Sequence, residues 1–144
     1  MQNPSLRGAT LVSLSTLVVV LVAVGASGQS PGGNPAARKV KNPVPATAAS
    51  VSAGKVAFDT YCALCHGAEG KGNGPLAQPN AKPQDLTDAA WVYGSTDGEI
   101  FDLIGRGLVG PPVKMPAFKG TLSEKDLWNV VNFLRSLGPK SAAR

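Results

Sequence analysis

The stretch Cys62-Ala63-Leu64-Cys65-His66 constrains this chain more than any other. Cys-x-x-Cys-His is the attachment signature of a c-type haem, and the spacing has a chemical reason. Two thiols three positions apart at a helical turn can each form a thioether with one haem vinyl group, and the next residue turns its imidazole toward the iron. Three other uses of these residues fit less well. A thioredoxin-like redox pair shares Cys-x-x-Cys but belongs in a βαβ context, which this sequence does not show. A zinc site needs four ligands, and beyond the leader Cys62, Cys65 and His66 are the strong nitrogen or sulfur donors. A structural disulfide has no use for the adjacent His. The chain holds 2 Cys and 1 His, so the motif takes the whole inventory and leaves no disulfide framework and no lipid-anchoring cysteine near the N-terminus.

The flanks extend the signature. From Gly54 the chain runs Gly-Lys-Val-Ala-Phe-Asp-Thr-Tyr-Cys-Ala-Leu-Cys-His-Gly-Ala-Glu-Gly-Lys-Gly-Asn-Gly-Pro; then come Asp97-Gly98-Glu99-Ile100-Phe101, Lys114-Met115-Pro116-Ala117-Phe118 and Leu122-Ser123-Glu124-Lys125-Asp126-Leu127-Trp128. In this order and spacing, over roughly Ala53 to Gly138, the chain resembles a class I c-type cytochrome, and within that class bacterial monohaem domains like the cytochrome subunits of respiratory oxidases. The resemblance implies an all-α fold of three to five helices around one covalently bound haem c and its iron, with redox proteins as partners. It also implies that the carbonyl of Pro75 accepts the Nδ1 proton of His66, and that Gly54 and Phe58 on the first helix meet Val130 and Phe133 on the last. Such cytochromes receive their haem outside the cytoplasm, so export to a bacterial periplasm is expected.

The N-terminus agrees with export. Arg7 precedes an apolar run from Leu11 to Ala26, and small residues follow through Gly28. As a helix that run would reach about 24 Å, short of the roughly 30 Å hydrocarbon core. Residues 1–28 therefore read as a signal peptide or, alternatively, as a membrane anchor that leaves residues 11–28 as a tether. Residues 29–52, rich in Pro, Gly, Ala and Ser and without aromatics, read as a disordered linker with a flexible span of about 25–30 Å. The cytochrome domain is expected over 53–140, with 141–144 a loose tail.

The net charge of +5 invites a nucleic-acid reading, but its distribution argues against one. Arg7, Arg38, Lys39 and Lys41 precede the domain, whereas all 9 acidic residues fall within it. The domain is nearly neutral and shows no basic patch interleaved with aromatics, so no nucleic acid is expected.

Within the domain, a first helix is expected from about Ser52, as its cap, to Cys62, with Val56 and Phe58 flanking the inner face. The Gly-rich stretch 67–79 has no preceding strand and no Gly-Lys-Ser/Thr, so it reads as a loop letting backbone approach the haem rather than a phosphate cradle. A short helix is expected from Asp85, and Thr96 to Glu99 has capping-box spacing for a helix bearing Phe101 and Ile104, whose apolar face should pack on the haem edge. Trp91 and Arg106 offer an indole N–H and a guanidinium to the propionates; a core Trp and a solvated Arg are the plain alternatives. Pro116 forces Met115 into extended backbone, suited to carrying a thioether to the distal iron face. Met is usually a core filler, but Met115 is the one Met after Met1 and His66 the one His, so bis-His ligation within the chain is impossible. His66 and Met115 are the expected metal ligands. A last helix should start at Ser123 and stop at Gly138-Pro139.

With both axial positions filled, the expected function is one-electron transfer rather than catalysis, by a free carrier or by the haem subunit of a larger oxidoreductase complex. A peroxidase-like or gas-binding protein with a labile distal site is the alternative from another class. Lys71, Lys114 and Lys119 are candidates for steering an acidic partner.

Overall fold

The computed structural model describes residues 33–89, 91–110 and 114–138. The expected leader, the Pro-Pro-Val step at 111–113 and the tail lie outside them. The fold is helical: α1 (Ala48–Tyr61), α2 (Ala63–His66), α3 (Asp97–Arg106) and α4 (Glu124–Leu137), with a minimal antiparallel pair, β1 (Leu108–Val109) and β2 (Lys114–Met115). Among the described residues no helix is long and apolar enough to cross a membrane.

Helix α1 starts earlier than expected. Thr47, not Ser52, is the N-cap, its hydroxyl accepting from Ser50 N at 3.2 Å. Two alanines follow the cap and cost nothing in helix propensity. The buried face is Ser50, Gly54 and Phe58 at four-residue spacing, whereas Val56, expected to flank that face, points to solvent at 65% exposure.

Helices α1 and α4 form the main crossing. A Cβ at Gly54 would collide with the Asn129 backbone and lie 2.8 Å from Phe133 Cβ, so glycine sets how closely the axes meet. Phe58 and Phe133 close the contact with ring centroids 5.1 Å apart, as the resemblance implied. Ser123 caps α4, accepting from Asp126 N at 3.1 Å, and the helix stops before Gly138, in extended backbone. The sequence pattern suggested one apolar stripe, but every residue from Leu127 to Leu134 is buried. A helix covered all round is a central one.

What covers its far side is the segment expected to be a disordered linker. Residues 33–52 are part of the fold: a 3-10 turn at Ala37–Lys39, an extended stretch, and the first turn of α1. Polar side chains hold this strap to the core. Asn42 Nδ2 donates to Asn132 Oδ1 at 2.8 Å, and Asn132 Nδ2 donates to Val44 O and to Ser50 Oγ at 3.0 and 2.8 Å. Ser50 Oγ in turn donates to Asn129 Oδ1 at 2.7 Å. Low hydrophobicity was the reason to expect disorder; buried amides bonded to backbone supply the missing hold.

Helix α3 has the expected capping box: Thr96 Oγ1 accepts from Glu99 N, and Glu99 Oε2 accepts from Thr96 N at 3.0 Å. The helix expected to start at Asp85 is instead a turn, because Asp85 Oδ1 accepts from both the N–H and hydroxyl of Thr87 and so competes with helical pairing.

Candidate functional site

Helix α1 delivers the Cys-His motif. Its C-cap is Cys62, and the chain makes one further turn as α2, with Cys65 N and His66 N both donating to Cys62 O at 3.1 and 2.9 Å. The last carbonyls of a helix need outside donors. The Gly-rich loop supplies them: Gly72 N, Gly74 N and Leu76 N donate to His66 O, Cys65 O and Leu64 O at 2.8, 3.1 and 2.8 Å. The loop therefore zips onto the motif and fixes where its side chains project.

Both cysteines are free thiols, Cys62 half-buried and Cys65 exposed. Burial, with Cys65 adding to it, pushes the Cys62 thiol up to about 11, so at neutral pH it is not a thiolate and is poorly suited to thiol exchange. Burial also lowers the pKa of His66, while the backbone of Gln84 pulls it the other way; the neutral imidazole is the form that ligates a metal. His66 Nδ1 is buried and makes no hydrogen bond, so the bond expected from it to the Pro75 carbonyl is not formed. The ring sits 6.4 Å from that of Phe58, which joins the motif to the α1–α4 core.

Met115 lies on a separate loop, after α3. Its backbone is extended, as Pro116 requires, and pairs with Leu108. Two bonds hang the following loop on the C-terminus of α3: Phe118 N to Ile104 O at 3.1 Å and Lys119 N to Gly105 O at 2.9 Å. Gly107 ends α3 at φ +72°, where a Cβ would lie 2.5 Å from Met115 O, so the hairpin closes tightly only over glycine. The Met115 side chain is half-buried against the core. Two free thiols on one turn, a neutral buried imidazole with an unmatched nitrogen, and one tethered thioether form the donor set of a c-type haem, and the residues fit that group.

The other expected site residues lie on and around α3 and α4. Ile104 lies in the core at 5% exposure. Phe101 stacks on Trp128, centroids 4.0 Å apart and planes 11° from parallel. Trp91 gives its indole N–H to Asp88 O at 3.1 Å and takes the Arg135 guanidinium over its ring, so this donor is not free for a propionate. Arg106 is exposed and bonded through Nε to Asp102 Oδ2 at 2.6 Å. It borders a cavity of about 440 Å³ lined also by Phe101, Gly105, Lys119, Glu124 and Leu127. Lys71, one of the candidate steering charges, is paired with Glu69 at 2.8 Å.

The capping-box spacing marks Glu99 as a cap but not as a buried group: it is 2% exposed and accepts from Ser95 N, Thr96 and Arg38 Nε. Asn34, Arg38 and Asn42 pin the strap to α3 and α4. The one local signal was Asn42-Pro43, a turn-initiating pair, whose Asn42 Oδ1 accepts from Val44 N at 2.8 Å.

Residues 49–134 match the family model for cytochrome c oxidase, cbb3-type, subunit III. Similar curated proteins include the cbb3-type cytochrome c oxidase subunit FixP of Bradyrhizobium diazoefficiens, 35% identical over 85 residues, covering 59% of this chain and 27% of that protein. Subunit CcoP of Rhodobacter capsulatus is 37% identical over 98 residues, covering 65% and 31%. The chain thus spans about a third or less of the relatives' length. Among solved structures, a chain of the Kuenenia stuttgartiensis reducing HAO-like protein complex is similar at a TM-score of 0.61 and 30% identity, over 69% of this chain and 50% of that one. Cytochrome CL of Methylophaga aminisulfidivorans shares the fold at a TM-score of 0.53 and 23% identity, over 67% of this chain and 59% of that one. With its helical frame, its Cys-His turn and its tethered Met115, the chain belongs to the family of the cbb3-type cytochrome c oxidase subunit III and is a class I c-type cytochrome.

Proposed function

We propose that the domain would hold one haem c covalently through Cys62 and Cys65, with the His66 imidazole and the Met115 thioether as iron ligands, and that it passes single electrons between redox proteins. When bound, the haem supplies a one-electron iron couple. The chain's own residues do the rest. The α2 turn presents the two thiols and the imidazole together, the zipped loop at 72–76 keeps that turn from unwinding, and the β1–β2 hairpin holds Met115 opposite. A soft thioether beside an imidazole favours the reduced iron more than harder ligands do, and two protein ligands leave no position for substrate. The observation that carries this reading is α2 itself: one turn bearing two free thiols and a neutral His66 whose Nδ1 is buried and unbonded.

The domain's place is exported, on the periplasmic side, either soluble or tethered through residues 11–28. The names of the FixP and CcoP relatives, oxidase subunits both, favour a second form of the same function, a haem domain within or beside an oxidase complex. Intact mass after acid–acetone extraction tests the covalent reading: one retained haem is expected, and loss of the haem would overturn it. Native particle size after gentle extraction separates a free carrier from a complex subunit.

A further inference from the structure

We propose that the N-terminal strap, residues 33–47, is a positioning clamp for the Met115 loop: by gripping α3 it sets how firmly the sixth iron ligand is held. This rests on the Met115 reading above. The strap lies before the family match, which begins at residue 49.

The strap grips α3 along one side. Asn34 Nδ2 donates to Asp102 Oδ2 at 3.1 Å, and Arg38 Nε donates to Glu99 Oε1 at 3.0 Å. Between them the strap backbone closes over Gly98, where a Cβ would run into the carbonyls of Ala37 and Val40. The strap's other end is bonded to α4 through Asn42, Val44 and Asn132. It therefore bridges the central helix and α3. The grip matters energetically because Glu99 is buried, and a buried carboxylate is costly unless paired. Arg38 supplies the cation.

The opposite end of α3 carries the Met115 loop. Phe118 N and Lys119 N hang on Ile104 O and Gly105 O, and the hairpin closes on Gly107 against the Met115 carbonyl. Helix α3 is a rod of about 15 Å, so tilt or fraying at Glu99 and Asp102 displaces the carbonyls that hold the loop. Strap, α3 and Met115 loop form one contiguous mechanical line, and its first link is made by side chains from residues 34 to 38.

The experiment uses the haem-loaded protein with Asn34→Ala/Arg38→Ala and, should that variant not accumulate, Arg38→Gln alone. The control is Ser50→Ala, which weakens the strap-to-α4 network without touching α3. Carbon monoxide can bind ferrous iron only after Met115 leaves, so its association rate reads the hold on that ligand. The α3-side variants should bind it roughly fivefold faster or more, and the amides of Phe118 and Lys119 should exchange faster, at a Tm loss no greater than in Ser50→Ala. Unchanged association, or an equal rise in Ser50→Ala, would make the strap merely structural and overturn the proposal. Met115→Ala separates the two readings. If it binds carbon monoxide no faster than the unaltered protein, the ligand assignment has failed. The clamp is then judged by amide exchange: faster at Phe118 and Lys119 supports it, and unchanged exchange rejects it.

Discussion

The α1–α4 crossing and the Cys62–His66 turn with its Met115 loop are held by different forces. The crossing is dry and densely packed: Phe58 is 1% exposed, Val131 0%, and the buried Ser50, Asn129 and Asn132 are bonded to one another and to the strap. The site is built from one turn of helix and two two-residue strands, with an exposed Cys65, a half-buried Met115 and an unbonded His66 Nδ1. A four-residue helix does not stand alone in water. The difference teaches that the frame carries its own stability, whereas the site borrows its order from the frame, the zipped loop and the group it is made to hold.

Breaking the frame should cost most. Phe58→Ala opens a cavity against Phe133 and removes the ring beside His66, at about 3–5 kcal/mol in denaturant unfolding of the haem-loaded protein; a loss below about 1 kcal/mol would mean the crossing is not the main source of stability. Met115→Ala cuts at the site instead. It should cost about 2 kcal/mol from lost packing and should do what no frame variant does: abolish the weak far-red ferric band, admit carbon monoxide and lower the reduction potential. A retained band would return the distal position to another ligand. Ser50→Ala leaves Asn129 Oδ1 without its Ser50 donor in the core, for about 1–2 kcal/mol, with the far-red band intact.

A pH series sharpens the comparison further. Burial alone would raise the pKa of Glu99, but the Thr96 N–H and hydroxyl, then the Arg38 guanidinium, outweigh it and hold the carboxyl below its ordinary value. A depressed carboxylate contributes stability that is present above the unfolded-state pKa and lost as pH falls through the folded one. Tm should therefore fall on acidification below the ordinary carboxylate range, and Glu99→Gln should be less stable at neutral pH, by about 1 kcal/mol, with a flatter acid limb. An equally steep limb would point to other carboxylates. At the small end, Lys55 and Asp59 pair at 2.5 Å on the exposed side of α1; Lys55→Ala should change stability by no more than about 0.5 kcal/mol.

Local chemistry was legible where it was local. The Thr96–Glu99 box and the Ser123 cap need only short-range pattern, the Gly54–Phe58 meeting with Phe133 is what the family resemblance implied, and all are present. For Trp91 and Arg106 the sequence left two uses open, because a donor's type says nothing of which acceptor is nearer; here the indole N–H is bonded to Asp88 O and the Arg106 Nε to Asp102. The strap was missed because its hold comes from single amides meeting partners on α4 some 90 residues away, such as Asn42 on Asn132.

The sequence by itself determined the c-type cytochrome class and the helical frame, because Cys-x-x-Cys-His is a motif with one strong use and because caps and apolar periods act within a turn or two of chain. Only the tertiary structure decided that residues 33–47 belong to the fold, that α4 is covered on every side, and that the Met115 loop hangs from the same helix the strap grips. Those outcomes depend on which distant donors and acceptors meet once the helices are packed, and a linear pattern does not contain that information.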